Sequence, residues 1–147
     1  MSEQRPPGCD ALVVTCMDFR LQAHLDTWLA GVLQHGNYDR VALAGAARDQ
    51  AVVMSQVDLA VRLHGVRLIV LINHEDCGAY GALGTLDRHA TDLRALRARI
   101  REAHPHVAVV TGYLKLDGTF LHVADDENLK ALPSLEEAVR QHLRKEA

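Results

Sequence analysis

Two strand-length apolar runs constrain this chain more than any other feature. Ala11–Thr15 (ALVVT) and Val66–Ile72 (VRLIVLI) are apolar almost throughout, as strands buried on both faces of a sheet are. Helix-patterned sequence lies between them, which favours parallel pairing in one sheet. Residues with metal-ligand chemistry follow each run: Cys16-Met17-Asp18-Phe19-Arg20 after the first, His74-Glu75-Asp76-Cys77 after the second. In a shared parallel sheet the two strand ends bring two thiolates and one imidazole together.

The rest of the chain fits that frame. Leu21, His24, Leu25, Trp28 and Leu29 recur at helical spacing over roughly 20–30. Arg40–Ala44 reads as strand two, with Gly45-Ala46-Ala47 as a small-residue exit. Asp49 is placed to cap the next helix, whose inner face is Val53, Val57, Ala60, Val61 and His64, and Gly65 ends it. Gly78–Leu83 is helix-compatible but weakened by glycine. Asp92–Ala103 is a helix with Leu93, Leu96 and Ile100 inward and its arginines mostly outward. His106–Thr111 is strand four. Gly112–Val123 forms a further strand or hairpin that turns at Asp117-Gly118. Ser134, with Glu137 at capping-box spacing, opens a last helix to about Lys145.

Strands separated by helices give a single doubly wound α/β domain over residues 10–147, preceded by a flexible lead-in over residues 1–9. The expected strand order is 2-1-3-4 with an edge strand added. Strands one and three are then neighbours whose following connections leave to opposite faces. This is the switch point where a crevice opens beyond the strand ends, and Cys16, His74 and Cys77 fall there.

Composition excludes several function classes. A chain of 147 residues with net charge -3 has no basic footprint for nucleic acid. Its apolar runs are too short to span a membrane. Met1–Pro7 shows no hydrophobic signal region, so the expected location is cytoplasmic. A reducing compartment disfavours disulfides among Cys9, Cys16 and Cys77, which leaves metal ligation or burial for the last two.

Two sulfurs and one nitrogen suit zinc, and three protein ligands leave a fourth position for water. The alternative is two buried structural thiols beside a surface histidine. With zinc bound, Asp18 decides the fourth position. As a ligand it closes the site. Held by Arg20 in a bidentate pair, it stays off the metal. Zinc then lowers the pKa of a bound water towards about 7 and gives a nucleophilic hydroxide that Asp18 can orient. An ordinary ion pair at a helix start is the plainer reading of Asp18 and Arg20. Gly45 and Ala46 offer small walls and close backbone, and the Gly78 N–H could face an anion at a helix N-terminus.

The joint pattern of Cys16-x-Asp18-x-Arg20, Ala44-Gly45 and His74-x-x-Cys77-Gly78 resembles the β-class carbonic anhydrases. The resemblance covers roughly residues 10–115, including Ser55–Leu63 and Val109-Thr111-Gly112. It implies zinc on Cys16, His74 and Cys77, with Asp18 and Arg20 as the catalytic dyad. It also implies a lyase that reversibly hydrates carbon dioxide to bicarbonate, built as a homodimer or a multiple of dimers. The strand-two exit of that family reads Arg-Asn-Ala-Gly, where this chain has Ala42-Leu43-Ala44-Gly45. The family also contains hydrolases of carbonyl sulfide and carbon disulfide on the same zinc motif. A closed zinc site stabilising a dimeric binding module is a third, non-catalytic reading.

Other residues carry less. Cys9 reads as a free thiol. His104 and His106 read as surface or cap histidines, and His24, His35, His89 and His122 join them as nominal proton carriers. Trp28 reads as a core or interface anchor. Tyr80 is placed either to face the crevice or to pack in a dimer.

Overall fold

Ala11–Thr15 (β1) and Leu68–His74 (β3) lie side by side at the centre of a five-stranded sheet of order β2-β1-β3-β4-β5. The computed structural model describes residues 7–33, 36–123 and 133–144. Tyr38–Ala42 (β2) and Ala108–Leu114 (β4) flank the central pair in parallel, and Phe120–His122 (β5) adds an antiparallel edge. This is the expected order, with the hairpin supplying the edge strand. Its turn sits at Asp117-Gly118, where Gly118 takes φ 94.

Alternate residues of the central strands face opposite ways, so the sheet carries two cores. On one face Val13, Val70 and Ile72 pack with Leu25 and Leu29 of α1 (Gln22–Val32) and Leu135 and Val139 of α4 (Leu135–Arg144). On the other, Leu12, Val14, Ile69 and Leu71 meet Val53 and Val57 of α2 (Gln50–His64) and Leu93, Leu96 and Ile100 of α3 (Leu86–Ala103). Each fully buried Leu or Val here is worth roughly 1.5–3 kcal/mol. That exceeds the few tenths available from surface pairs, so these stripes fix the helices to the sheet. Trp28 belongs to the first core and stacks on Phe120 with ring centroids 4.8 Å apart.

The caps follow the sequence. Asp49 accepts a hydrogen bond from the Val52 N–H at 3.2 Å, and Gly65 ends α2 at φ 61. Ser134 accepts from the Glu137 N–H at 3.1 Å. The expected end at Lys145, His35, and residues 1–6 of the lead-in lie outside the described residues.

Several boundaries differ from expectation. Strand two runs Tyr38–Ala42 rather than 40–44, because its pairing with β1 already ends at Thr15↔Ala42. β3 and β4 each start two residues late and run on, since the pairing continues to His74↔Leu114. α3 begins at Leu86 rather than Asp92, because Thr85 caps it by accepting from the Arg88 N–H at 3.2 Å. Gly78–Leu83 is turn followed by a 3-10 turn at Gly81–Leu83, broken by Gly81 at φ 58. Gly78 therefore starts no helix, and the anion site expected of a helix N-terminus is not built there.

No helix among the described residues is long and apolar enough to cross a membrane.

Candidate metal centre

The register Val14↔Leu71 brings the end of β1 to the last turns of β3. Cys16 directly follows β1, His74 is the last residue of β3, and Cys77 sits in the turn beyond. All three are buried, and their ligand atoms lie within 4.8 Å of one another. The two Sγ atoms are 4.0 Å apart. A tetrahedral zinc with Zn–S near 2.3 Å needs its sulfurs about 3.8 Å apart, so the pair is already spaced for the ion.

His74 is set for ligation. Its Nδ1–H donates to the Glu75 carbonyl at 2.7 Å, which leaves the lone pair on Nε2. Nε2 is buried and has no hydrogen-bond partner among the described residues. A buried imidazole nitrogen without a partner is costly unless something occupies it, and a metal ion does so. The residues present thus fit zinc on donor set, spacing and orphaned nitrogen.

Backbone geometry supports the thiolate. The Gly45 N–H donates to Cys16 Sγ at 3.4 Å. Gly45 takes φ 80, and a Cβ there would come within 3.1 Å of Arg48 Cβ and 3.2 Å of Ala79 Cβ. The next residue, Ala46, holds φ 46 without being glycine, a strained conformation of the kind that gathers at functional sites. Burial pushes the Cys16 thiol up, but its contact with His74 and the Gly45 N–H outweigh that and bring it down to about 7. Burial holds the Cys77 thiol above its usual range.

Asp18 and Arg20 lie beside this cluster. Arg20 Nη2 lies 2.7 Å from Asp18 Oδ2, its Nε lies 3.1 Å from Oδ1, and its backbone N–H donates to Oδ1 at 2.9 Å. These bonds hold the Asp18 carboxyl down at about 2. Asp18 Oδ2 is 4.0 Å from His74 Nε2, whereas ligands sharing a tetrahedral zinc through O and N sit about 3.3 Å apart. The carboxylate is near the metal position but engaged by arginine. Asp18 is also the N-cap of the 3-10 turn Phe19–Leu21, accepting from the Arg20 N–H, so the pair is a helix-start pair that stands beside a buried ligand set.

Asp76, which the sequence reading passed over, completes the grip. Its Oδ2 accepts from Arg20 Nη1 at 3.0 Å and its carbonyl accepts from Nη2 at 2.9 Å. Asp76 reaches both positions from a left-handed conformation, φ 56. An open cleft of about 740 Å³ gives access, lined by Asp18, Arg20, Ala44, Cys77, Gly78 and the exposed Phe19 among others. Gly78 thus faces the cleft, Gly45 serves Cys16, and Ala46 is fully buried in the core on the α2 and α3 face.

A polar network backs His74. Asn73 Nδ2 donates to Tyr80 Oη at 3.0 Å and meets His89 Nδ1 at 2.9 Å, while Tyr80 Oη donates to Asp92 Oδ2 at 2.7 Å. The Ala47 N–H donates to Asn73 Oδ1 at 3.1 Å. Tyr80 is therefore buried in this network and does not line the cleft. His89 is fully buried, and that burial pushes it down to about 4. It is not an exposed proton carrier.

A family model described as "Putative carbonic anhydrase" matches residues 7–124. The chain belongs to that carbonic anhydrase family. An uncharacterized protein of Rickettsia conorii is 29% identical, covering 73% of this chain and 68% of its own. One from Rickettsia bellii is 26% identical, covering 73% and 77%. The fold is that of solved carbonic anhydrases. The enzyme from Glaciozyma antarctica superposes with TM-score 0.61 at 20% identity over 84% of this chain and 86% of that one. The enzyme from Streptococcus mutans gives 0.60 at 20% over 84% and 88%. The β-carbonic anhydrase isoform I of Trichomonas vaginalis gives 0.57 at 18% over 84% and 86%.

Proposed function

We propose that this carbonic anhydrase family member catalyses the reversible hydration of carbon dioxide to bicarbonate on a zinc ion held by Cys16, His74 and Cys77, within one domain over residues 10–147. The observation that carries the reading is the Asp18 carboxylate, held by Arg20 at 4.0 Å from His74 Nε2. Arg20 ties Asp18 to the Asp76 turn and so keeps the carboxylate off the ligand set, as an open site requires. Zinc, when bound, supplies the Lewis acidity that brings ionisation of a water to neutral pH.

The chain's own groups do the rest. Cys16 and Cys77 as thiolates balance the charge of a divalent ion. His74 would hold the ion through Nε2, because the Glu75 carbonyl keeps the proton on Nδ1. Asp18 is ionised throughout the neutral range, so it accepts a hydrogen bond from the attacking oxygen and points that oxygen's lone pair into the cleft. Arg20 keeps Asp18 from taking the metal position and neutralises its charge. Attack forms the new C–O bond while one C=O pair moves to oxygen, which gives bicarbonate; the proton passes to solvent. Ala44 and Gly78 leave room for a small linear substrate.

Exposed Met17 and Phe19, at 63% and 85%, stand beside the cleft, which favours a homodimer or a multiple of dimers that covers them. Three free cysteines suit the reducing cytoplasm. The test is hydration by zinc-quantified protein, with carbonyl sulfide as the rival substrate. Carbon dioxide turnover supports the reading. Sulfide release faster than carbon dioxide hydration moves it to a sulfur-substrate hydrolase, and neither activity at full zinc leaves a non-catalytic zinc module.

A further inference from the structure

We propose that Cys9, Asp39 and His64 form a second site for a divalent, borderline-soft cation, zinc foremost, at the opposite end of the sheet from Cys16, His74 and Cys77. The inference stands on different residues and does not depend on the reaction proposed above.

Three elements converge to make the cluster. Cys9 lies just ahead of β1, and its backbone N–H donates to the His64 carbonyl at 3.1 Å. Asp39 is on β2, in register with Leu12 of β1. His64 is the last residue of α2. Their ligand atoms lie within 4.8 Å of one another. Cys16 is seven residue steps of nearly extended chain beyond Cys9, a distance of about 23 Å at strand rise. The two sites therefore share no ligand.

The donor set selects the cation. One thiolate, one imidazole nitrogen and one carboxylate oxygen suit zinc and not magnesium or calcium, which take oxygen ligands. Thiolate and carboxylate together balance a double positive charge. His64 and Asp39 are already paired, Nδ1 to Oδ2, at 2.6 Å. Their side chains are 35% and 30% exposed, so a cation from solvent can reach them. Tetrahedral ligands of these types sit about 3.3–3.6 Å apart, so metal entry asks for shifts of about 1 Å. On entry Cys9 releases its proton to solvent, and His64 moves its proton from Nδ1 to Nε2. Water completes the coordination.

Access and competition also fit. A cleft of about 260 Å³ between β2 and α2, walled by Leu12, Val41, Leu59 and Leu63, opens on Asp39 and His64. The adjacent Arg40 is turned to Asp26 and Gln22, at 3.1 and 2.8 Å. A Cys–His–Asp set could instead serve a nucleophilic thiolate. Burial and the Asp39 charge both raise the Cys9 thiol, which works against a free thiolate but not against a metal that displaces the proton.

The experiment is equilibrium dialysis of the full chain against zinc, read as metal per chain, for wild type, Cys9→Ser, His64→Gln and Cys77→Ser, with circular dichroism as the folding control. The wild type should take about two zinc ions per chain, and Cys9→Ser and His64→Gln about one. If the Cys16 centre binds no zinc, the wild type takes about one, lost in Cys9→Ser and kept in Cys77→Ser, so failure of that reading is distinguishable. A second readout uses wild type alone: excess zinc should slow alkylation of Cys9 by iodoacetamide about tenfold or more, as mass spectrometry of its peptide reads. Zinc stoichiometry unchanged by Cys9→Ser and His64→Gln, or Cys9 alkylated at one rate with and without zinc, overturns the proposal.

Discussion

Asp76 grips Arg20 twice, through Oδ2 at 3.0 Å from Nη1 and through its backbone carbonyl at 2.9 Å from Nη2. The guanidinium is thereby fixed from the side away from Asp18, and its Nε and Nη2 are left facing the Asp18 carboxylate. Asp76→Ala removes one of the two contacts. The expected result is full zinc content with a several-fold loss of carbon dioxide hydration. Metal content is measured beside initial rates, and an unchanged rate would show that Arg20 needs no such bracing.

Arg20→Lys keeps the charge and discards the fork. A lysine ammonium cannot hold both oxygens of Asp18 while also meeting Asp76. The variant should bind zinc as the parent does and lose hydration by about 10²-fold, and Asp18→Asn should lose at least as much. Cobalt substitution gives an independent readout. With Asp18 released in Arg20→Lys, the cobalt absorption should shift towards a fully protein-ligated site; an unaltered spectrum would argue that Asp18 stays put without Arg20.

The low pKa of Asp18 predicts an acid limb in stability. The Arg20 hydrogen bonds lower the carboxyl from 3.8 to about 2 in the folded chain. A group whose folded pKa is depressed contributes stability in full above its unfolded value and loses it as pH falls through the folded one. The advantage of wild type over Asp18→Asn in urea unfolding should therefore be constant above about pH 5 and shrink towards pH 2. A difference that stays flat across that window would contradict the pairing.

Gly45 is needed for its backbone. At φ 80, with Arg48 Cβ and Ala79 Cβ at 3.1 and 3.2 Å from any added methyl, Gly45→Ala is both strained and crowded. It should cost about 1–3 kcal/mol in chemical denaturation. Because the Gly45 N–H donates to Cys16 Sγ, zinc should also leave the variant faster in a chelator competition.

Tyr80→Phe tests the network behind His74. The hydroxyl accepts from Asn73 and donates to Asp92, and both partners lose it at once. A destabilisation of about 1–3 kcal/mol is expected, the scale for buried polar groups left unpaired. Thermal unfolding of metal-loaded protein measures it.

Much of the candidate site was legible because each candidate ligand follows an apolar run. Cys16 and His74 are placed by β1 and β3, and strand order alone then brings them together. The edge strand was legible from Asp117-Gly118. Three things were hidden. The start of α3 is masked because a polar residue, His89, occupies an inward position and interrupts the apolar stripe. The part played by Asp76 depends on a backbone angle that its residue type only permits. Cys9, Asp39 and His64 are far apart in sequence, with no spacing motif, and meet only through the β1–β2 register and the end of α2.

The proposed reaction needs zinc at Cys16, His74 and Cys77 and the Asp18 carboxylate beside it. Stopped-flow hydration on zinc-quantified wild type and Asp18→Asn, across about pH 6.5–9, tests it most directly. The wild-type rate should rise with pH in proportion to zinc bound at this centre, and Asp18→Asn should carry equal zinc with little rate. Full zinc at these residues with no hydration at any pH, or an Asp18→Asn rate equal to wild type, would contradict it.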